Sequence, residues 1–186
     1  MIRFPAAVQS LRTVRLILTP LRVEDAAEMA GVLADPALYD VIGGSPPDAV
    51  TLRRRYKKLV VGRSRDGSQQ WLNWVIRLRP GVGHEEDHPE TPAVGTVQAT
   101  VMAGGAAAEI AWIVGTAWQG RGYAGEAAAA MADLLRAAGV QLLVAHIHPR
   151  HAASQGVARR AGLTPTPELH DAEQRWASTS MPPGPP

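Results

Sequence analysis

Gln119-Gly120-Arg121-Gly122-Tyr123-Ala124-Gly125 is the stretch on which the fold turns. Its last six residues fit G-x-G-x-x-G letter for letter, the pattern that holds a dinucleotide pyrophosphate between a strand and a helix. That pattern carries further conditions: a buried strand running straight into the first glycine, and an acid about 20 positions later to hold a ribose hydroxyl. Here Gly115 to Gln119 separate the preceding strand from Gly120, and no Asp or Glu occurs between Asp133 and Glu168. The preceding strands also read as antiparallel. Arg150 could take a 2′-phosphate, which leaves an NADP-linked reductase as a minor alternative. Taken as chemistry alone, a glycine-rich turn leads into a helix N-terminus, where unpaired backbone N–H groups and the helix dipole attract a phosphate. Gly120 and Gly122 remove side chains that would block it, and Arg121 adds a fixed positive charge. A tight turn that needs glycine only for its geometry is the competing reading, and these residues alone do not separate the two.

Outward from the turn, the spacing predicts a helix near Gly122 to Ala138. Ala127, Met131, Leu134, Leu135 and Ala138 share one face, Glu126, Asp133 and Arg136 the other, and Gly139 is the stop. Val140 to Ile147 is a mostly apolar strand, Ala152 to Ala161 a short helix ending at Gly162, and Glu173 to Ser178 a last strand. In the other direction, Glu109 to Val114 is a strand reached through a Gly104-Gly105 hairpin. Before it, Val97, Ala99 and Val101 alternate with Thr96, Gln98 and Thr100, and Leu72, Trp74, Ile76 and Leu78 alternate with Trp71, Asn73, Val75 and Arg77. These three strands form an antiparallel meander. A first strand lies around Val14, Leu16 and Leu18, followed by helices over Val23 to Ala34 and roughly Asp48 to Val61, the second opened by Pro46-Pro47.

With 186 residues, 46% hydrophobic and 19% charged, the chain suits a single soluble domain, here 1–180, with 181–186 a disordered Pro/Gly tail. No apolar run reaches membrane-spanning length, and Gln9, Arg12 and Arg15 interrupt the opening stretch where a secretion signal would be continuous, so the expectation is a cytoplasmic protein with no membrane partner. The absence of cysteine excludes disulfides, thiolate metal sites and a cysteine nucleophile. A net charge of +2 gives no bias toward nucleic acid, and Arg53-Arg54-Arg55-Tyr56-Lys57-Lys58 reads as a solvated helix face. His84-Glu85-Glu86-Asp87-His88 matches the zinc signature H-E-x-x-H, whose chemistry requires a helix. Gly81, Gly83 and Pro89 break that helix, so no metal is expected.

The run from Glu109 to Ala127, with Gln119, Gly122 and Ala124 at the positions of the pattern [RQ]-x-x-G-x-[GA], closely resembles the acetyl-CoA-binding core of the GCN5-related N-acetyltransferase (GNAT) family. In particular it resembles the branch that includes the ribosomal-protein N-terminal acetyltransferases. The resemblance implies an α/β fold with a mixed central sheet of about six to seven strands, an antiparallel N-terminal meander, splayed fourth and fifth strands and about four flanking helices. It implies that acetyl-CoA is the donor, with the amides of Gly120, Arg121, Gly122, Tyr123, Ala124 and Gly125 on its pyrophosphate. The backbone of Trp112, Ile113 and Val114 would hold the pantetheine arm as an added strand does. The Val114 amide would stabilise the oxyanion that forms when an amine attacks the thioester.

Glu109, on the same strand face as Ala111 and Ile113, is the candidate base that takes the amine proton; pairing with a neighbour or water is its alternative role. Two positions depart from the family. His151 stands where many members have the Asn that opens the helix, and Ala158 stands where a thiolate-protonating Tyr often falls. This leaves Ser154, or solvent, as the acid; Ser154 as a plain helix-start hydroxyl is equally compatible. The acceptor is an amine-bearing small molecule or a peptide N-terminus, in a cleft built by the first two helices, Ala37 to Ser45 and the sheet near Trp71 and Trp74, two tryptophans better suited to core than to ligand contact. A homodimer is compatible with the resemblance. The opposing functional class is a catalytically inactive CoA-binding sensor or scaffold, prompted by His151 and Ala158.

Overall fold

The computed structural model describes residues 8–81 and 91–178. The His84 to His88 segment and the tail from Met181 lie outside them. Among the described residues, eight strands form one sheet in the order β1-β2-β3-β4-β5-β6-β8-β7. They are β1 (Leu11–Arg12), β2 (Leu16–Pro20), β3 (Gln69–Leu78), β4 (Ala93–Met102), β5 (Ala107–Val114), β6 (Leu142–Ile147), β7 (Leu163–His170) and β8 (Glu173–Ser178). The helices are α1 (Ala26–Val32), α2 (Tyr39–Ile42), α3 (Ala49–Leu59), α4 (Tyr123–Ala137) and α5 (Ala152–Arg160). No helix among the described residues is long and apolar enough to cross a membrane.

The period-2 pattern decides which face each strand buries. On one face Leu72, Trp74, Ile76 and Leu78 join Val97, Ala99, Ala108, Ile110 and the α4 residues Ala127, Ala128, Met131 and Leu135 in the larger core. On the other, Val75 and Ala93 pack with Ala26 and Met29 of α1 and Leu52 and Tyr56 of α3. Arg77 points to this second face and is held by Asp25 and Glu28, each at 2.9 Å. The meander is as expected: β3, β4 and β5 pair antiparallel. The β5–β6 pair is parallel and short, joining only Ala107, Ala108 and Glu109 to Leu142, Leu143 and Val144. Beyond Glu109 the two strands separate, and this opening positions the site.

Strands and helices both slightly exceed the expected numbers, for local reasons. β7 contains Pro165 and Pro167, residues that demote a strand in sequence but are tolerated at a sheet edge, which is where β7 lies, with a register shift between Pro165 and Leu169. β1 is two residues long, and α2 a single turn that ends at Gly43. The strand expected around Val14 is β2 and starts at Leu16, because Thr13 N–H closes a turn onto Leu16 O and leaves Val14 81% exposed. The first helix is shorter than the sequence suggests: Val23–Asp25 is a single 3-10 turn before α1. α3 begins as expected after the prolines, with the Asp48 carboxylate accepting from Thr51 N–H at 2.7 Å.

Candidate active site

Gly122 is the N-cap of α4 and sits in the left-handed region at φ 78°, with no side chain satisfying the first N–H groups of the helix. Only glycine adopts this conformation without strain, and so the amide nest stays open. A Cβ at Gly122 would lie 3.4 Å from Arg15 Nη2 and 3.6 Å from Arg160 Nη1. Two guanidinium groups therefore converge on the turn, from the start of β2 and from the last residue of α5. Arg15 is fixed there: its Nε pairs with Glu126 at 2.7 Å, its Nη1 donates to Arg121 O at 2.8 Å, and its guanidinium lies 4.8 Å from the Tyr123 ring. Burial works against the Glu126 charge, but donors from Thr13 and Arg15 hold its carboxyl below the usual range. Arg160 has no ion-pair partner among the described residues. Open amides, a glycine where a Cβ would crowd the site and two arginines make a cradle fit for a phosphate group.

Hydrogen-bond alternation along β5 determines which backbone groups reach the opening. Gly115 N–H donates to Val94 O, and Val114 stands opposite Gly95 in a regular antiparallel register. It follows that the backbone groups of Ile113 point at Thr96 on β4, while those of Trp112 and Val114 point away from β4, past the end of the β6 pairing. This narrows the expectation that Trp112, Ile113 and Val114 all expose backbone at the opening: Trp112 and Val114 present backbone groups there, and Ile113 presents only its side chain. Gln119 has a role that its position in the pattern did not reveal. Its Nε2 donates to Val114 O at 3.0 Å, occupying that carbonyl and leaving the Val114 N–H as the free group at the opening.

A cleft of about 570 Å³ runs along this opening. Trp112, Ile113, Val114, Gln119, Gly120, Gly122, Tyr123, Ala124, Gly125, His151 and Ser154 all line it, as does Arg160. Arg121 does not; its side chain is exposed and its guanidinium lies 5.4 Å from the Trp118 ring. The roof is Ala37, Leu38, Val41 and Ile42. It is tied down by Asp35, whose carboxylate caps the turn through Ala37 N–H and accepts from Thr116 Oγ1 in the loop after β5.

On the far side of β5 a second cavity of about 400 Å³ is bounded by Tyr39, Ile42 to Ser45, Leu52, Tyr56, Asn73, Gln98 and Ala111. Ile42, Trp112 and Ile113 line both spaces, so the two meet across the free end of β5. The expected participation of Ala37 to Ser45 is thus divided between them. Trp74 borders the second cavity but is 1% exposed, with its indole N–H on Gln9 O; Trp71 does not border it and donates to Gln69.

Glu109 lies on the Ala111 and Ile113 face, as alternation requires, but borders neither cavity. It sits at the closed end of the opening, opposite Val144 on β6, half exposed and 3.4 Å from His146 Nδ1. Ser154 Oγ is 3.3 Å from the Trp112 indole nitrogen, from which it accepts. Ala158 is fully buried.

His151 caps α5 through Nδ1, which accepts from Ser154 N–H at 3.4 Å; in the neutral ring the remaining proton is then on Nε2. Burial, reinforced by the charge of His148, holds this imidazole below the ordinary histidine range. Unfolding returns it to about 6.5, so on acidification the unfolded chain takes up the proton first. The contribution to stability is present above that value and is lost as the pH falls through the folded pKa. Melting curves between pH 7.5 and 5.5 should therefore show a decline that His151→Asn reduces; an unchanged slope in the variant would refute the assignment.

The chain matches the family model for the acetyltransferase (GNAT) domain over residues 15–164, and it belongs to that family. Solved structures share the fold. The GNAT-family acetyltransferase of Bacillus anthracis superposes with a TM-score of 0.69 at 18% identity, covering 91% of this chain and 97% of that one. An acetyltransferase of Agrobacterium tumefaciens str. C58 gives 0.68 at 22% identity over 96% and 98%. RimL, a ribosomal L7/L12 alpha-N-protein acetyltransferase solved with coenzyme A, gives 0.71 at 15% identity over 91% and 97%. RimL is of the branch that the sequence resembles. No curated protein matches the chain.

Nothing in the sequence around Arg15 or Arg160 marks either as a site residue. Arg15 reads as one polar residue in an alternating strand and Arg160 as a basic residue in a last helical turn; tertiary packing alone brings them to Gly122.

Proposed function

We propose that the protein transfers the acetyl group of acetyl-CoA to a primary amine, of a small molecule or a peptide N-terminus, by direct attack and without a covalent enzyme intermediate. The observation that carries this reading is the continuity of one cleft from the amide nest at Gly122 to the free Val114 N–H, in a chain of the acetyltransferase family. Acetyl-CoA would supply the activated acetyl group as a thioester. The amides of Gly120 to Gly125, with Arg15 and Arg160, would hold its pyrophosphate. Trp112 and Val114 would hydrogen-bond the pantetheine arm along the edge that β6 has left. The Val114 N–H, freed of competition by Gln119, would donate to the developing oxyanion.

The amine enters from the second cavity, where the two spaces share Ile113. Its ammonium must lose a proton before attack, and Glu109 is the acceptor we assign, through water, because it lies on the amine side of β5 and its carboxylate faces His146. Ser154 and the Nε2–H of His151 are the donors nearest the thiolate side.

Thiol release from acetyl-CoA across a panel of amines tests the proposal. Turnover with at least one amine is expected, and Glu109→Gln should lower kcat by about 100-fold, within the usual range for a general base, and abolish the acidic limb of the pH profile. An unchanged profile would place the base elsewhere. Tight CoA binding with no turnover on any amine would favour the sensor, the class suggested by His151 and Ala158.

A further inference from the structure

We infer that the acceptor is a small amine with a compact apolar body and an anionic group, a carboxylate in the simplest case, at the end remote from the amine. The inference rests on the acetyl-transfer reading of the site. The second cavity, about 400 Å³, is at the small end of the range for small-molecule sites. Its wall has two parts. Leu33 at the end of α1 and Leu52 and Leu59 of α3 make an apolar side. Facing them, the sheet presents Asn73 and Gln98, which stand opposite each other in the β3–β4 register, next to Ala111 on β5. Neither side-chain amide has a hydrogen-bond partner among the described residues, and both are therefore available to a ligand. Ala111 keeps the floor low beside them.

Charge decides the class. Among the described residues, no Asp or Glu lines this cavity, and Arg55 is the one charged residue that does. Arg55 belongs to α3, which also carries Arg53, Arg54, Lys57 and Lys58 and no acid. A second positive charge on the acceptor would enter this space without a counter-ion and against a basic helix, an unfavourable transfer. A carboxylate would find the Arg55 guanidinium at the mouth, with amide donors from Asn73 and Gln98 deeper in. Ile113 borders the donor cleft as well, whereas Arg55 borders this cavity alone, and so the amine is assigned to the Ile113 side and the anion to Arg55.

The experiment uses the full chain, acetyl-CoA and a matched series: 4-(aminomethyl)benzoate, 4-(aminomethyl)benzamide and benzylamine, with spermidine as polycation and an acidic tetrapeptide as the macromolecular source of the same charge. The expected result is a kcat/KM for the benzoate about tenfold above the benzamide, as one charge-assisted hydrogen bond provides, with spermidine poorest. Arg55→Gln should erase the difference through KM, with kcat unchanged, and Arg55→Lys should restore part of it. Equal rates for benzoate and benzamide, a preference for spermidine, or a benzoate preference that survives Arg55→Gln overturns the inference. So does a tetrapeptide preferred over every small carboxylate. If no amine is turned over, the acetyl-transfer reading fails on its own, and calorimetry on the CoA-saturated protein decides the pocket: tighter benzoate than benzamide binding upholds the anion site, and equal binding ends it.

Discussion

Gly122→Asp is expected to yield a folded protein that has lost at least about 100-fold in CoA affinity, roughly 2.7 kcal/mol. The cause is charge in the wrong place. Gly122 has φ 78°, a conformation that Asp tolerates better than most residues, so the backbone cost is of order 1 kcal/mol and the fold survives. The new Cβ would stand 3.4 Å from Arg15 Nη2 and 3.6 Å from Arg160 Nη1. The carboxylate would then pair with the guanidinium groups that await a phosphate, acting as an internal competitor at the mouth of the amide nest. Gly122→Asn is the control, similar in shape and backbone strain but uncharged, and should lose much less. Calorimetric titration of CoA into both variants gives the comparison. Equal affinities for wild type and Gly122→Asp would show that the nest holds no phosphate.

Gly95→Ala should be the most damaging small substitution in the sheet. A Cβ there would overlap the Ile113 carbonyl oxygen and stand 2.9 Å from Val114 Cα. Both obstacles are backbone, so no side chain can rotate away; β5 itself must move. Overpacking of this kind costs about 3 kcal/mol, which for a domain of this size lowers Tm by about 6–12 °C. Because the displaced residues are those that border the opening, CoA affinity should fall with stability. Gly31→Ala in α1, where a Cβ meets nothing within 4 Å, should instead be neutral or slightly stabilising. A Gly95→Ala melting point within about 1 °C of wild type would contradict the close approach of β4 and β5.

The parts of the site that were legible in sequence are those specified by neighbours in the chain. Glycines at 120 and 122, the alternation of 109–114 and the periodicity after Tyr123 are local signals, and they placed the turn, the strand and α4 correctly. Four features escaped because they depend on distant partners. Arg15 and Arg160 approach Gly122 only when β2 and α5 pack against α4. That Ile113 turns its backbone to Thr96 follows from register, which alternation alone does not reveal. β7 is a strand because its prolines sit on an edge, a position known only once the sheet order is known. The separation of Glu109 from both cavities belongs to the same group, since sequence gives its face but not the point at which β6 stops pairing.

The most direct measurement is a crystal structure with acetyl-CoA bound. The pyrophosphate is expected on the amides of Gly120 to Gly125 beside Arg15 and Arg160, the pantetheine arm paired with Trp112 and Val114 only, and the thioester carbonyl facing the Val114 N–H. A pyrophosphate bound away from that turn, or an arm that does not enter the gap between β5 and β6, would contradict this assignment.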